Sequence, residues 1–513
     1  MSAAPETSTP VFVVGAGIMG AGIAQVAAQA GHPVRLFDTR DGAAADAKAK
    51  LATGLEALVA KGRLGAEAVR ATLARITPAA SLAEAAEAGL VVEAIVEKLE
   101  VKRTLLRDLE AVVGDACVLA TNTSSISVTA LANGLRLPGR LVGMHFFNPV
   151  PVMKLVEVIS GLHTAPAVAE AIFDLSARWG KVPVHARSTP GFIVNRIARP
   201  FYAETLALLH ERAGTPAELD ACLRGAGFRM GPCELMDLIG HDTNLSVTES
   251  VYGANFGDKR FVPSGVQRDL VDGGWLGRKS GRGFYDYAGG ATPARLEPAT
   301  FAPAPLPAAG RLVLHGGGVA VERWAQALAE ADRGFERVEG SGWSGLDADG
   351  AQLRLTDGRP AAQVAAETGV RDLAVHDHAA AAGGGAPGTV LAWAASAGAS
   401  ASWADTAAQW LQAAGWCPLR LADAAGLAVA RTVAMLVNEA ADAVQQGVCS
   451  EAGADAAMKL GVNYPAGPFE WLARWDAAAV VQVQVLDHLD AHYRGERYRA
   501  SPWLRQQAWR TVR

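Results

Sequence analysis

The sequence predicts an α/β fold with a mainly parallel sheet, followed by helical domains. In the first 160 residues, short apolar runs typical of buried strands alternate with helical stretches. A glycine-rich turn joins the first of these runs to the first helix, and a long, largely apolar helix opens a region of different character near residue 190. Alternating strands and helices give a parallel sheet that helices cover on both faces, with ligands at the carboxyl ends of its strands.

Composition narrows the class of protein. The 513 residues exceed the usual size of one hydrophobic core, so several domains are expected. The formal charge of -5 arises from 47 basic and 52 acidic residues spread along the chain, without the basic stripe that nucleic-acid binding needs. A nucleic-acid partner is therefore not expected.

Cysteine usage and the amino terminus bear on the compartment. The cysteines are odd in number, show no close pairing and have no metal-ligand spacing, which predicts no metal site and a reducing, cytoplasmic location. The apolar run that follows residue 10 resembles a signal or membrane helix, but its glycines would weaken a spanning helix and no basic segment precedes it. We therefore expect no membrane partner.

The turn after the first strand has the spacing of a dinucleotide-binding loop. Val11–Val14 read as a buried strand, and small apolar residues at helical spacing follow the turn. Glycines at these positions permit a tight turn, close approach of a pyrophosphate and close packing of the helix on the strand. The pyrophosphate is expected at the helix N-terminus, where free N–H groups and the helix dipole favour an anion. The residues expected beside the cofactor are Gly15, Gly17, Ile18, Met19 and Gly20.

An acid at the end of the second strand indicates which dinucleotide binds. Asp38 closes the strand predicted over residues 33–38, about 20 residues beyond the glycines. A carboxylate there accepts hydrogen bonds from the ribose hydroxyls and repels a 2′-phosphate, so NAD is favoured over NADP. Arg40 lies nearby and keeps the NADP alternative open. The sequence therefore predicts a Rossmann-type NAD-binding domain.

Polar residues stand at the ends of the later strands. Further strands are predicted at Leu90–Ile95, Cys117–Ala120, Leu141–His145 and Lys154–Ile159, with helices at about 43–60 and 98–112. Because ligands bind at the carboxyl ends of such strands, the side chains found there are candidates for the site. These residues are Asn122, Thr123, Ser124, Ser125, His145 and Asn148.

His145 and Glu157 are the two polar groups that stand out in apolar strands. Each alone has a structural interpretation, as a satisfied core histidine or a glutamate on a solvated face. Together they form a hairpin-like pair, in which a carboxylate would orient the imidazole and stabilise its protonated form. Histidine, with an unperturbed pKa of ~6.5, suits removal of an alcohol proton while hydride leaves for a nicotinamide. Ser124 is placed to hydrogen-bond the reacting oxygen.

Several long motifs in register resemble the L-3-hydroxyacyl-CoA dehydrogenase family over residues 10 to about 287. They are GAGIMGAGIAQ, VVEAIVE, NTSS, HFFNPVPVMKLVEV, TPGFIVNR, GP followed by an acid, and GRKSGRGFYDY. The resemblance implies a base, its acidic partner and two substrate contacts, namely His145, Glu157, Ser124 and Asn195. It implies a lining of the NAD site by Asp38, Glu97, Lys102, Ser124, Asn148 and Lys279, and a contact of Lys61 with coenzyme A phosphates.

Two of these lysines carry an alternative interpretation. Lys61 lies in a segment that matches the family poorly, since Gly54 stands where relatives often have a serine. Both Lys61 and Lys102 are also compatible with a solvated helix face. Asn195 has its own alternative as a hydrogen-bonding residue at the start of a helix.

The second half of the chain repeats the helical region. Gly180 and Gly191 enclose the same spacing as Gly415 and Gly426, and each pair precedes an apolar helix. At the position of Asn195 the later copy has Ala430, so it is expected to keep the packing surface without the site. The predicted domains are an NAD-binding domain at 1–188, a helical domain at 189–287, a linker at 288–309, a degenerate α/β domain at 310–418 and a second helical copy at 419–513.

The degenerate α/β domain is expected to have no second NAD site. Strands are predicted near residues 310–315 and 390, with a glycine turn at Gly316–Gly318. We find in this stretch no dinucleotide spacing of glycines followed by an acid, so loop structure is the expectation.

The resemblance implies a substrate class and leaves alternatives. The tandem architecture is similar to bacterial dehydrogenases of phenylacetate breakdown, which act on 3-hydroxyadipyl-CoA, and 3-hydroxybutyryl-CoA is the nearest competitor. The two helical copies are expected to pack as an internal pseudo-dimer, and a homodimer of the whole chain is the alternative that stays open. Two other classes stay open: a non-catalytic dinucleotide-binding protein such as lens lambda-crystallin, and a hydroxy-acid oxidoreductase of the 3-hydroxyisobutyrate or 6-phosphogluconate type, which typically uses a lysine base.

Overall fold

The computed structural model describes residues 5–291, 295–296, 304–380, 385–474 and 478–511. The chain divides into two compact units. The first contains residues 1–196 and 443–462, and the second contains 197–442 and 463–513. Residues 292–294 and 297–303 of the predicted linker at 288–309 lie outside the described residues.

The first unit is built on an eight-stranded sheet. Its strands follow the order β3-β2-β1-β4-β5-β6-β7-β8, and all neighbours are parallel except β6 and β7. The predicted mainly parallel sheet is therefore confirmed. The strands are β1 (Val11–Val14), β2 (Val34–Phe37), β3 (Ile76–Pro78), β4 (Leu90–Glu93), β5 (Val118–Thr121), β6 (Leu141–Phe146), β7 (Leu155–Ser160) and β8 (Val182–Arg187).

Helices pack on this sheet and cover its apolar strands. Residues of β1, β4 and β5 are buried throughout, as runs of Val, Leu and Ala predict for strands that are covered on both faces. The helices are α1 (Ile18–Gln29), α2 (Ala43–Ala60), α3 (Ala66–Arg75), α4 (Leu99–Val112), α5 (Val128–Ala132), α6 (Pro166–Arg178) and α7 (Val194–Ile197), which ends at the boundary between the units.

The apolar segment predicted as one long helix from residue 191 onward is interrupted. It forms α7 and a separate helix, α8 (Arg199–His210), which has Pro200 in its first turn. Proline has no N–H to donate and its ring crowds the preceding turn, so a regular helix does not continue through it. The prediction of a single helix is therefore wrong at this point.

The rest of the first helical region lies in the second unit. Its helices are α9 (Pro216–Gly225), α10 (Pro232–Ile239), α11 (His241–Ala254) and α12 (Gly265–Asp272). A capping box opens α9, where Thr215 and Glu218 bond each other's backbone N–H groups.

The predicted degenerate α/β domain forms a seven-stranded mixed sheet in the second unit. The strand order is β10-β9-β11-β12-β13-β14-β15. The strands are β9 (Leu312–His315), β10 (Glu336–Val338), β11 (Gly345–Ala348), β12 (Ala351–Leu355), β13 (Leu373–His376), β14 (Thr389–Ala395) and β15 (Trp416–Arg420). The helices beside it are α13 (Val319–Glu330), α14 (Ala361–Thr368) and α15 (Ala401–Ala413).

The start of this second sheet repeats the start of the first. The N–H of Gly316 donates to the carbonyl of Val338 at 2.9 Å, as the N–H of Gly15 donates to Phe37 at 2.7 Å. Glu339 then follows Gly316 at the same distance along the chain as Asp38 follows Gly15. An acid therefore follows this turn at the spacing of Asp38, but Val321 stands where the third glycine of the motif would be, so the glycines do not complete the dinucleotide spacing.

The second helical copy completes the chain. Its helices are α16 (Val429–Gln445), α17 (Glu451–Gly461), α18 (Pro468–Arg474), α19 (Ala478–Tyr493) and α20 (Pro502–Thr511). Residues 443–462, which include α17, belong to the first unit, and α17 packs on β7 and β8 there. None of the described helices combines the length and the apolarity needed to cross a membrane.

Within the second unit, ion pairs link the two helical copies reciprocally. Arg497 of the second copy donates to Glu204 of the first at 2.7 Å, and Arg260 of the first lies 3.1 Å from Glu439 of the second. Arg431 adds a further bond to Glu204 at 2.8 Å, with both side chains almost fully buried. Paired contacts of this kind are typical of a two-fold interface between equivalent surfaces.

Candidate active site

The antiparallel pairing of β6 and β7 places His145 directly opposite Glu157. Nδ1 of His145 lies 2.6 Å from Oε2 of Glu157, and both side chains are buried. Carboxylates accept hydrogen bonds and do not donate them when ionised, so Nδ1 carries the proton that the carboxylate accepts. This leaves Nε2 as the nitrogen able to take a proton from another molecule. The predicted proximity of the two groups is confirmed.

The other oxygen of Glu157 fixes the start of the next helix. Oε1 accepts hydrogen bonds from the backbone N–H groups of Ile193 and Val194, each at 3.0 Å. Asn195 follows directly, and its amide donates to the carbonyl of Ser124 at 3.3 Å. One buried carboxylate therefore aligns both the imidazole and the segment that carries Asn195.

Aromatic rings enclose the histidine. The ring of Phe147 lies 4.5 Å from the His145 ring, centroid to centroid, and the ring of Phe192 lies 5.9 Å away. Only 5% of His145 is exposed. A low-polarity surrounding of this kind strengthens the hydrogen bond to Glu157 and limits the access of water.

Ser124 lies in a turn organised by Glu97. Oε1 of Glu97 accepts hydrogen bonds from the backbone N–H groups of Ser124 and Ser125, at 2.8 and 3.0 Å, and from the hydroxyl of Thr123 at 2.6 Å. The Ser124 hydroxyl itself lies 3.3 Å from the same oxygen. Glu97 thus sets the position of the serine turn rather than standing free beside it.

Charge and hydrogen bonding keep Glu97 ionised. Burial alone would raise the pKa of this carboxyl, but the Lys102 ammonium and the hydrogen bonds from Thr123, Ser124 and Ser125 outweigh burial, so the pKa lies below its usual range. A neutral Glu97 would be a weaker acceptor for the hydrogen bonds on which the turn depends.

Lys102 is buried rather than solvated. Its ammonium donates to both oxygens of Glu93, at 2.8 and 3.0 Å, and lies 3.3 Å from Glu97. Only 1% of Lys102 is exposed, so the alternative of a solvated helix face is wrong for this residue. Glu93 ends β4 and is fully buried, and the sequence signal for it was an acid closing an otherwise apolar strand, nine residues before Lys102.

The glycine turn is packed too closely to accept side chains at two of its positions. A Cβ at Gly15 would lie 2.4 Å from the carbonyl oxygen of Ala94, and one at Gly20 would lie 1.7 Å from that of Gly15. Beside the turn is a cavity of about 780 Å³, lined by Gly15, Gly17, Asp38 and Arg40 among others. Residues of the turn and the strand ends therefore fit a dinucleotide.

Asp38 faces this cavity as an ionised group. Its carboxylate accepts hydrogen bonds from the N–H groups of Ala16 at 2.8 Å and Arg40 at 3.0 Å. Burial by itself would raise the pKa of Asp38, but these bonds and the Arg40 charge lower it below its usual range. A negative charge of the kind that favours ribose hydroxyls over a 2′-phosphate is therefore present beside the cavity.

The other residues predicted for the NAD site in the first unit differ in burial and in hydrogen bonding. Oδ1 of Asn122 accepts the N–H of Phe146 at 2.9 Å, tying the ends of β5 and β6 together. Ile18 is 77% exposed at the start of α1, Met19 beside it is half-buried, and Asn148 is exposed after β6. An exposed Ile18 next to the glycine turn is compatible with covering by a bound ligand.

The two remaining lysines are exposed. Lys61 caps the carboxyl end of α2, where it is exposed as the solvated-face alternative expects. Lys279 belongs to the second unit, and its ammonium lies 2.5 Å from the Asp242 carboxylate. Neither lysine is among the residues that line the cavity beside the glycine turn.

Sequence reasoning missed a contact between the later copy and the segment that carries Asn195. Within the first unit, the guanidinium of Arg196 donates to the side chain of Gln446 at 2.8 Å, and the N–H of Arg187 donates to the carbonyl of Val448 at 2.9 Å. Arg196 directly follows Asn195. The available sequence signal was the repeat itself. It predicted that the second copy packs against the first, but it did not indicate which residues make the contact.

Family comparisons cover most of the chain. The NAD binding domain of 3-hydroxyacyl-CoA dehydrogenase matches residues 10–189, and the C-terminal domain of that family matches residues 191–287 and again 426–509. The reduced Rossmann-fold domain of 3-hydroxybutyryl-CoA dehydrogenase matches residues 353–424. The duplicated helical region is thus recovered independently.

Individual relatives are similar over their full length. The chain is 43% identical to a 3-hydroxyadipyl-CoA dehydrogenase of Escherichia coli, over 97% of each chain. A crystal structure of a 3-hydroxybutyryl-CoA dehydrogenase from the same species has a TM-score of 0.87 and 40% identity, over 98% of this chain and 99% of that one. A (S)-3-hydroxybutyryl-CoA dehydrogenase from Ralstonia eutropha has a TM-score of 0.53 and 40% identity, over 55% of this chain and 99% of that one. The chain therefore belongs to the 3-hydroxyacyl-CoA dehydrogenase family and is an NAD-dependent oxidoreductase that acts on the hydroxyl group of a 3-hydroxyacyl-CoA.

Proposed function

We propose that this enzyme oxidises (S)-3-hydroxyadipyl-CoA to the 3-oxo thioester, with His145 as the base and Glu157 as its positioning partner. The observation that carries the catalytic part is the 2.6 Å contact between Nδ1 of His145 and Oε2 of Glu157. The identity of 43% over nearly the whole length of a 3-hydroxyadipyl-CoA dehydrogenase supports the substrate.

The proton and the hydride leave the substrate in different directions. NAD, when bound, accepts the hydride from carbon 3. Nε2 of His145 takes the proton of the 3-hydroxyl, and the positive charge that the imidazole gains is stabilised by the Glu157 carboxylate on Nδ1. A positioned base of this kind typically contributes a rate factor of ~10²–10⁴.

Ser124 and Asn195 are proposed as the polar contacts of the reacting substrate. Asn195 donates to the Ser124 carbonyl, so the two residues are held side by side in the first unit. A hydroxyl and an amide at this place supply hydrogen bonds to the 3-oxygen and the thioester region as the alcohol becomes a ketone. Glu97 acts on this step through the serine turn that it holds.

The remaining contacts are assigned to the two cofactors of the reaction. We assign Lys61, which is exposed, to coenzyme A phosphates. The residues assigned to the NAD site are Gly15, Gly17, Ile18, Met19, Gly20, Asp38, Glu97, Lys102, Asn122, Asn148 and Lys279. Of these, Gly15, Gly17 and Asp38 carry the assignment, because they line the cavity that fits a dinucleotide.

A second candidate substrate is 3-hydroxybutyryl-CoA. It is favoured by the solved 3-hydroxybutyryl-CoA dehydrogenase with a TM-score of 0.87 over almost the whole chain. The two substrates differ in a terminal carboxylate and in length. The experiment is a comparison of kcat/KM, by NADH absorbance, for the adipyl, butyryl and longer unbranched 3-hydroxyacyl thioesters. Higher kcat/KM for the butyryl substrate would replace the main proposal by the second.

The domain boundaries given above, the cytoplasmic location and the oligomeric state are part of the same proposal. The reciprocal pairs Arg497–Glu204 and Arg260–Glu439 support an internal pseudo-dimer of the two helical copies. Expression of residues 1–290 alone tests this. We expect a species that self-associates through its uncovered helices, and a stable monomer without an exposed apolar face would contradict it.

A further inference from the structure

The second sheet has a cavity of its own, of about 280 Å³, lined entirely by residues of the second unit. It lies at the carboxyl end of β9, where Gly317, Gly318 and the first residues of α13 form one wall. His376, at the end of β13, and Trp416, at the start of β15, form another. Nothing in the dehydrogenase reaction makes use of this place.

The helix that opens on the cavity offers free backbone donors. α13 has 12 residues and begins after Gly318, which has no side chain to cap it. The first N–H groups of a helix have no acceptor within the helix, and together with the helix dipole they favour an anion. Residues Val319, Ala320 and Val321 of this first turn all line the cavity.

An unpartnered imidazole nitrogen is the second, independent observation. Nδ1 of His376 lies 3.0 Å from the carbonyl oxygen of Asp377, which only accepts, so Nδ1 carries the hydrogen. Burial lowers the pKa of His376 to about 4, which keeps the ring neutral near pH 7. Nε2 is therefore an acceptor, and among the described residues it has no hydrogen-bond partner although only 1% of His376 is exposed. A ligand with a hydroxyl would satisfy it.

Asp377 is the one carboxylate among the described residues that line the cavity, and its oxygens are already occupied. The oxygens of Asp377 accept hydrogen bonds at 2.7 to 2.9 Å from the backbone N–H groups of Ala428, Val429, Ala430 and His378. It caps the start of the later helix as Glu157 caps the segment at Ile193 and Val194. The Asp377 carboxylate is thus engaged by backbone N–H groups. Arg474, on the cavity wall, supplies a positive charge.

The cavity is too small and too altered for a dinucleotide. It has about a third of the space of the cavity beside the first glycine turn, 280 against 780 Å³. Val321 replaces the third glycine of the motif, where Gly20 in the first domain leaves no room for a Cβ. The loop has accordingly changed course, since φ is +98° at Gly318 and −72° at Gly17.

We propose that this cavity binds a small phosphate monoester that carries a hydroxyl group. The phosphate lies at the N-terminus of α13, and the hydroxyl donates a hydrogen bond to Nε2 of His376. The apolar walls of Leu355, Leu391 and Trp416 enclose the carbon skeleton. The reduced Rossmann-fold domain is then a binding domain for a metabolite separate from NAD and the acyl-CoA.

The test is calorimetric titration of the full chain, saturated with NAD, with glycerol 3-phosphate, inorganic phosphate and glycerol. We expect one saturable site for glycerol 3-phosphate, weaker binding of phosphate and none of glycerol. Gly317→Asp places a carboxylate in open space beside the helix start and is expected to weaken binding at least tenfold. Gly334→Asp is the matched control, since a side chain there also meets nothing and it does not line the cavity.

His376→Leu tests the hydroxyl contact of the ligand separately from its phosphate contact. It removes the acceptor, and we expect the affinity for glycerol 3-phosphate to fall to that for inorganic phosphate. Equal binding of phosphate and glycerol 3-phosphate by the unmodified enzyme would overturn the ester assignment. Binding that Gly317→Asp leaves unchanged, or no saturable binding of either phosphate, would overturn the site, and the latter would mean that the cavity holds only water.

Discussion

Glu157 holds His145 with one carboxylate oxygen and the backbone of Ile193 and Val194 with the other. Oε2 lies 2.6 Å from Nδ1 of His145, and Oε1 accepts both N–H groups at 3.0 Å. Because Asn195 follows directly, the base and a proposed substrate contact share one buried anchor. Under the proposed mechanism, catalysis depends on this carboxylate in two ways, through the tautomer of the imidazole and through the position of the segment that carries Asn195.

Glu157→Gln is expected to lower kcat by ~10²–10⁴-fold, since the amide can donate to Nδ1 of His145 and thereby favour the tautomer with a protonated Nε2. The amide oxygen still accepts the N–H groups of Ile193 and Val194, so the fold and NAD affinity should change little. Steady-state NADH formation and NAD titration measure the two effects. A variant that keeps full kcat would show that Glu157 has no role in positioning the base.

Lys102→Met is expected to destabilise the first unit by about 3–5 kcal/mol, because it leaves the fully buried Glu93 carboxylate without its cation. Denaturant unfolding measures the free energy. Lys98→Met is the matched control, since Lys98 is exposed and its loss should change stability by less than about 0.5 kcal/mol. Equal effects of the two variants would contradict the structural role of the buried pair.

Glu97→Gln should lower stability in a pH-dependent manner. The folded pKa of Glu97 lies below its unfolded value of 4.5, so the ionised carboxyl contributes stability that is present above pH 4.5 and is lost as the pH falls through the folded pKa. The difference in unfolding free energy between Glu97→Gln and the unmodified protein should therefore shrink on acidification below pH 4.5. If this difference in unfolding free energy grew on acidification, the pKa of Glu97 would be raised in the folded protein and not lowered.

Asp38→Asn is expected to raise the KM for NAD about tenfold and to reduce the preference for NAD over NADP, because the ionised carboxylate that bonds ribose and repels a 2′-phosphate is lost. Initial rates with each cofactor measure the preference. Asp41→Asn is the control, since Asp41 is exposed and does not line the cavity. An unchanged preference in Asp38→Asn would place cofactor discrimination elsewhere, with Arg40 the next residue to test.

Arg431→Met is expected to cost about 3–5 kcal/mol, since it removes a buried cation from Glu204, which Arg497 also contacts. The comparison is Arg311→Met, where the side chain is 70% exposed and its solvent-screened pair with Glu336 should contribute little to stability. Thermal and denaturant unfolding measure both. Similar small losses would show that the ion pairs between the helical copies are not needed to hold them together.

Prediction of structure from the sequence was most accurate where the local residue pattern and the chemistry of the side chains agree. The strand Val11–Val14 and the helix at residues 43–60 coincide with the observed elements, because a short continuous apolar run and a long helix-forming segment are clear local signals. The pairing of His145 with Glu157 was inferred from two polar residues in adjacent apolar strands. The two side chains come into contact because β6 and β7 pair in the register that places His145 opposite Glu157.

Features that depend on contacts with distant parts of the chain could not be predicted from the sequence. Lys102 reads as a surface lysine on an amphipathic helix, and only the position of Glu93 on β4 makes it a buried one. The strand Val182–Arg187 has a mixed composition, and its place beside β7 comes from tertiary packing. Pro200 was visible in the sequence, yet the surrounding apolar residues masked the break that it makes.

The central claim is that His145 is the base, and the most direct test is the turnover of His145→Gln with a 3-hydroxyacyl-CoA and NAD. We expect kcat to fall by ~10²–10⁴-fold while the dissociation constant for NAD stays nearly unchanged, because the ring removes the hydroxyl proton and the cofactor binds at the glycine turn. Turnover within a few-fold of the unmodified enzyme would contradict the claim and assign the base to another residue.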